Sequence, residues 1–229
     1  MAFDQFMRKT VLTVAGNRAV SGFVNKYGMK IGARRFVAGE MLDESIEIVK
    51  GLNKDDLVVT LDHLGEFVAN KQEALDATQE AINIFPAIAA AGVDSNVSVK
   101  MTQLGLNLDK EFCLGNMDRI VAEAKKYNNF VRIDMEDSPV TDVTIDIFKT
   151  LLAKYGKEHI GLVVQSYLYR TEQDVKDLGA LGVNLRIVKG AYKELKEVAF
   201  QDKKSVDDNY IRLVELHLKN GNYTAVATH

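Results

Sequence analysis

The sequence predicts an α/β chain built as a (β/α)8 TIM-type barrel, incomplete at six visible strands and preceded by a helical N-terminal arm. Three observations lead there. Short β-rich runs recur roughly every 25 to 40 residues with helical stretches between them, the spacing of tandem βα units. Such alternation implies a parallel sheet, because parallel neighbours need a helical crossover. Almost every run also carries a reactive polar group at or just past its C-terminal end. A barrel brings such groups from many strands to one mouth, whereas an open doubly wound sheet gathers them around one switch point.

The elements follow in order. Asp4 to about Lys50 reads as helical, with apolar residues at helical spacing in IGARRFVAGEMLDESIEIVKGL. Residues 1–55 are therefore assigned to the arm and 56–229 to the barrel domain. The predicted strands are DLVVTL (56–61), NVSVKM (96–101), FVRIDM (130–135), GLVVQS (161–166), NLRIVKG (184–190) and YTAVAT (223–228). Between them lie the helical segments KQEALDATQEAINIF, NMDRIVAEAKKYN, TDVTIDIFKTLLAKYG, TEQDVKDLGALG and VDDNYIRLVELHLKNG. Several end in Gly or Asn, as helix C-termini do. Pro86 is expected to kink or end the first of them. A full barrel needs eight strands and about 250 residues. A chain ending just after the sixth strand, at Thr228-His229, is expected to be about two βα units short.

Composition narrows the class. The chain has 229 residues, 47% hydrophobic and 27% charged, enough apolar material for a sizeable core. Its net charge of -3 and pI near 5.9 argue against a nucleic-acid partner. The single cysteine, Cys113, excludes an internal disulfide and fits a reducing compartment. It is placed in a connecting segment with no His nearby, which argues against a nucleophilic role. No apolar run reaches the length of a membrane span, and Asp4 and Lys9 interrupt any signal-peptide core. A cytoplasmic protein able to touch a membrane surface is expected.

The chemistry gathers at strand ends. Asp62, His63 and Glu66 follow the first run, and Lys100 lies in the second. Arg132, Asp134 and Glu136-Asp137 mark the third. Gln165, Tyr167 and Tyr169-Arg170 mark the fourth. The fifth holds Arg186 and Lys189, then Gly190-Ala191-Tyr192, and the sixth ends in Thr228-His229. Any one such residue could be a barrel-interior hydrogen-bonding group. Charged groups are another matter, since they are rarely buried without partners. Lys100, Asp134, Arg186 and Lys189 together point to a bound charged ligand or cofactor. There is no Rossmann or P-loop phosphate motif. Gly190 would let the backbone approach a ligand closely. A metal site seeded by Asp62, His63 and His229 is the weaker alternative. His159 and His217 read as surface residues.

DHLGE (62–66), VRIDMEDS (131–138), LRIVKGAY (185–192) and ATH (227–229), in this order and spacing, resemble proline dehydrogenases of the short monofunctional bacterial type. The resemblance runs from the first strand onward, and the helical arm is compatible with it. It implies FAD-dependent oxidation of L-proline to 1-pyrroline-5-carboxylate, with hydride passing to flavin N5 and electrons on to a quinone. By that resemblance Lys100 holds the substrate carboxylate, and Asp134 and Arg186 are catalytic. Met135, Gln165, Lys189, Gly190, Ala191, Thr228 and His229 contact FAD. Glu66 is one half of an ion-pair gate. The family's C-terminal arginine pair, which clamps the carboxylate, has no counterpart before His229, so low or absent turnover is expected of these 229 residues. Leu195 stands where a proline is expected. The oligomeric state is not legible.

Two readings from other classes stand beside this one. Lys100 or Lys189 could form a Schiff base in an aldolase-like lyase, if activated by burial or a nearby cation. A non-catalytic barrel scaffold would bind neither flavin nor small molecules.

Overall fold

A computed structural model describes residues 37–65, 67–220 and 223–228. Glu66, His229 and the part of the arm before residue 37 lie outside the described residues. The chain divides into two compact units, Met1–Gly51 and Leu52–His229. Helix α1 (Leu42–Asn53) begins in the first unit and opens with Asp43 and Glu44. Negative charge there complements the positive end of the helix dipole.

The second unit is a single parallel sheet in strictly sequential order, β1 (Val59–Asp62), β2 (Ser95–Lys100), β3 (Val131–Asp134), β4 (Ile160–Gln165), β5 (Leu185–Val188) and β6 (Thr224–Val226). Sequential order decides between the two α/β architectures. A doubly wound sheet reverses its order at a switch point, whereas singly wound βα units curl toward a barrel. The crossovers are helices α2 (Lys71–Ala91), α3 (Lys110–Lys126), α4 (Thr141–Tyr155), α5 (Thr171–Gly179) and α6 (Lys203–Lys219).

Pleating sends alternate residues to opposite faces. One set, Val97, Val99, Val131, Ile133, Leu162, Val164, Leu185 and Ile187, is 0–3% exposed. This is the core under the helices. The other set holds Lys100, Asp134, Val163, Gln165 and Arg186, the barrel-interior face. One level below these, Arg132 donates from Nη1 to Asn184 O at 3.3 Å. Gly161 makes the room: a Cβ there would lie 2.9 Å from that Nη1 and 2.7 Å from Asn184 O.

Capping fixes the helix starts. Asn70, Asp109 and Asp202 accept from the backbone N–H of Glu73, Phe112 and Ser205, at 3.0, 2.7 and 2.8 Å. Four expectations need correction. The first strand begins at Val59 rather than Asp56, and it includes Asp62. Helix α2 runs through Pro86 to Ala91, ending at Gly92 with φ +62°. Proline removes one helical hydrogen bond, but buried Ile84, Phe85 and Ile88 hold this stretch to the core. Cys113 lies inside α3, which starts at Lys110, and it is fully buried. His217 is also fully buried, its Nδ1 2.7 Å from Thr224 Oγ1 at the start of β6.

Candidate active site

A cavity of about 730 Å³ opens at the C-terminal ends of β2 to β6. Lys100, Asp134, Met135, Gln165, Arg186, Lys189, Gly190, Ala191 and Thr228 all line it. The strands therefore bring together every described residue to which the family resemblance gave a catalytic, substrate or cofactor role. The cavity also recruits Val163, Val188, Tyr192, Val226 and Ala227. Only Tyr192 of these stood out beforehand. The apolar ones carry no sequence signal, because a strand valine facing a cavity looks like one facing a core.

An alternating row of charges crosses the floor. Asp62 Oδ2 lies 3.0 Å from Lys100 Nζ, and that ammonium lies 3.6 Å from Asp134 Oδ2. Asp134 Oδ1 accepts in turn from Arg186 Nη2. Burial pushes the Asp134 carboxyl above the usual carboxylate range, although Arg186 and Lys100 both pull the other way. Arg132, 5% exposed, is pulled down to about 10 by burial and by the nearby Arg186 guanidinium.

A second row of contacts shapes the walls. Gln165 Nε2 donates to Glu136 O at 2.8 Å. The Glu136 carboxylate is buried and accepts from the Thr102 backbone N–H at 2.9 Å and from the Thr102 hydroxyl. It ties the turn after β2 to the end of β3. Glu194 does the same for the chain after β5, accepting from Ser138 N at 2.7 Å and Ser138 Oγ at 2.6 Å. Glu136 was noted at the end of its strand without a role, and Glu194 was not singled out, because only the folded chain brings their partners near.

Two residues differ from expectation in detail. Lys189 does not reach into open space: its Nζ lies 2.7 Å from Asp207 Oδ1 on α6 and 5.9 Å from the centre of the Tyr210 ring. An ammonium has three donors, so a further anionic partner can still be bound. Gly190 has φ +110°, and a Cβ there would come within 2.5 Å of the Tyr167 ring. The close approach that demands glycine is thus to Tyr167.

The residues fit a large anionic cofactor with a flat apolar part. The volume lies within the range of ligand sites. Met135, Val163 and Val188 give apolar wall, and Arg186 and Lys189 give cations. No group of three or more His, Cys, Asp or Glu suited to a metal occurs among the described residues. The lyase alternative loses ground. Schiff-base lysines are activated by desolvation or a neighbouring cation, but here carboxylates lie against both Lys100 and Lys189.

The family described as proline dehydrogenase matches residues 45–229. Proline dehydrogenase 2 of Bacillus subtilis subsp. natto is 46% identical over 213 residues, covering 91% of this chain and 69% of the relative. The proline dehydrogenase of Deinococcus radiodurans is 44% identical over 229 residues, covering 99% of this chain and 74% of the relative. The chain belongs to the proline dehydrogenase family. Solved structures agree in fold. Proline utilization A (PutA) of Bdellovibrio bacteriovorus, inactivated by N-propargylglycine, superposes with a TM-score of 0.79 at 24% identity, over 90% of this chain. PutA of Corynebacterium freiburgense gives 0.72 at 19%, over 98% of this chain. In both cases the chain spans 26% of the PutA chain. As a proline dehydrogenase it is an oxidoreductase of proline catabolism.

Proposed function

We propose that this cavity holds FAD and L-proline side by side and oxidises proline to 1-pyrroline-5-carboxylate. The observation that carries the reading is the row Lys100–Asp134–Arg186, which lines the same cavity as the Gly190-Ala191 backbone. When bound, the flavin supplies a two-electron acceptor at N5 for the hydride leaving the ring carbon beside nitrogen.

The chain's own residues do the rest. Lys100 takes the proline carboxylate through a charge-assisted hydrogen bond. Arg186 sets a positive field beside the flavin ring and favours negative charge developing there. Asp134 aims Arg186 and limits that field. Lys189, steadied by Asp207, together with Gly190, Ala191, Thr228 and His229, holds the ribityl and phosphate portion. Met135 and Gln165 border the ring, and Glu136 fixes the Gln165 amide. Glu66 serves as half of an ion-pair gate. A quinone takes up the electrons. We place the protein in the cytoplasm, with peripheral contact at the membrane's inner face where such an acceptor resides. No helix among the described residues is long and apolar enough to cross a membrane.

A visible spectrum of the purified protein, before and after proline under anaerobic conditions, tests this. Flavin absorbance that bleaches with proline is expected. A colourless protein that gains no absorbance from added FAD would overturn the reading. Lys100→Met should weaken proline binding at least tenfold, and unchanged affinity would remove Lys100 from the substrate site.

A further inference from the structure

A further cation lies one layer below the row of charges. Arg132 precedes Asp134 by two residues on β3, so pleating sends both side chains to the barrel-interior face. Its guanidinium donates from Nη1 to Asn184 O at 3.3 Å and to Leu162 O at 3.5 Å, and lies 4.8 Å from the centre of the Phe130 ring. Asn184 stands two residues before Arg186, so Arg132 sits beneath both halves of the Asp134–Arg186 pair. The side chain is buried. Among the described residues, no carboxylate lies within ion-pair distance of it. The carboxylates of the row above lie against other cations, Asp62 against Lys100 and Asp134 against both Lys100 and Arg186.

Two carbonyl oxygens need only a donor, which a neutral amide side chain would supply. A full charge buried without a carboxylate destabilises the fold. Burial pulls Arg132 down only to about 10, so it keeps its charge at neutral pH. The layer directly above it is the one whose Lys100, Asp134 and Arg186 line the cavity, whereas Arg132 itself lines no part of it.

We infer that Arg132 is a fixed positive charge beneath the cofactor site that raises the reduction potential of the bound flavin. Hydride transfer brings two electrons and one proton, so the reduced ring holds one more negative charge than the oxidised ring. A buried cation below stabilises that charge through surroundings that screen it little. Arg132 touches neither cofactor nor substrate and acts by its field alone. The inference rests on the reading that this cavity holds flavin.

Reduction of the flavin-loaded protein in equilibrium with a reference dye, at pH 6.5 and without proline, tests it. In Arg132→Met the reduction equilibrium should fall about tenfold, a midpoint about 30 mV lower for two electrons. Arg132→Gln keeps a donor for the carbonyls but not the charge. It should lower the midpoint equally, and it serves alone if Arg132→Met does not fold. Arg132→Lys keeps the charge but loses the planar fork, so it should hold the wild-type midpoint even where its melting temperature drops. A purely structural brace gives the opposite pattern: stability lost in Arg132→Lys and the midpoint unmoved in Arg132→Gln. That unmoved midpoint, in a protein that binds flavin, overturns the role of Arg132 and leaves the cofactor reading standing. A wild-type protein that takes up no flavin overturns both.

Discussion

Arg186 on β5 reaches across the width of β4 to Asp134 on β3, and Val163 lies between them at the same level of the sheet. The two charges sit on strands that are not neighbours. The pair exists because the sheet curls, so that side chains from alternate strands share a layer of the interior.

The pair is asymmetric, and the two halves should fail differently. Burial already pushes the Asp134 carboxyl up, so without Arg186 it can take a proton and become neutral. Without Asp134, the Arg186 guanidinium faces buried Arg132 unopposed. Asp134→Asn should therefore cost about 3 kcal/mol of stability and Arg186→Met about 1 kcal/mol. Urea unfolding at pH 7, with flavin removed, measures both. Each variant should also slow proline-dependent flavin bleaching by a factor of about 100. The reverse order of stability loss would contradict the account of Asp134.

Gly190→Ala should disrupt the cofactor wall. An alanine must adopt φ +110° and push its Cβ into the Tyr167 ring. The backbone alone costs about 1–3 kcal/mol. Adding Tyr167→Ala relieves the contact but not the backbone. The double variant should therefore recover melting temperature only in part, and flavin content should remain below wild type. Full recovery of both would show that only the ring contact matters.

Cys113 should be inert in the folded protein. Burial, with the Glu136 carboxylate second, pushes its thiol up to about 12. At pH 8 the thiolate fraction is on the order of one in ten thousand. Iodoacetamide should label it only on unfolding, at the rate set by opening. Rapid stoichiometric labelling of the native protein would contradict its placement in the core.

His217 should give stability a pH dependence. Burial pulls its imidazole below the ordinary value of 6.5, so the fold prefers the neutral ring. Above 6.5 the ring is neutral in both states and stability is full. As pH falls from 6.5 toward the lowered folded value, the unfolded chain binds the proton first. Stability then drops by up to about 1.4 kcal/mol per pH unit. The loss levels off once the folded state is protonated too. Denaturant midpoints between pH 7 and 5 should show this slope, and His217→Asn should reduce it. An equal slope in both proteins would assign the effect to other groups.

Reading along the chain found the strands to within three residues at their starts, because each is a short apolar run closed by turn residues. It missed the continuation of α2 past Pro86 and the start of α3 at Lys110. Tertiary burial of Phe85 and Ile88 overrides the proline, and the Asp109 cap lies upstream of the apolar pattern. His217 looked exposed because a polar residue near a helix end usually is.

Sequence alone determined the order of strands and helices, the family resemblance, and the residue types at the strand ends. These are local: a run of valines, a glycine after a helix and a motif of three to eight residues need no distant partner to be seen. Tertiary structure alone decided which charges meet. Asp62 is 38 residues from Lys100, and Asp134 is 52 from Arg186. No local pattern links such pairs. Curling the sheet sets them side by side, and burial then makes each pairing matter.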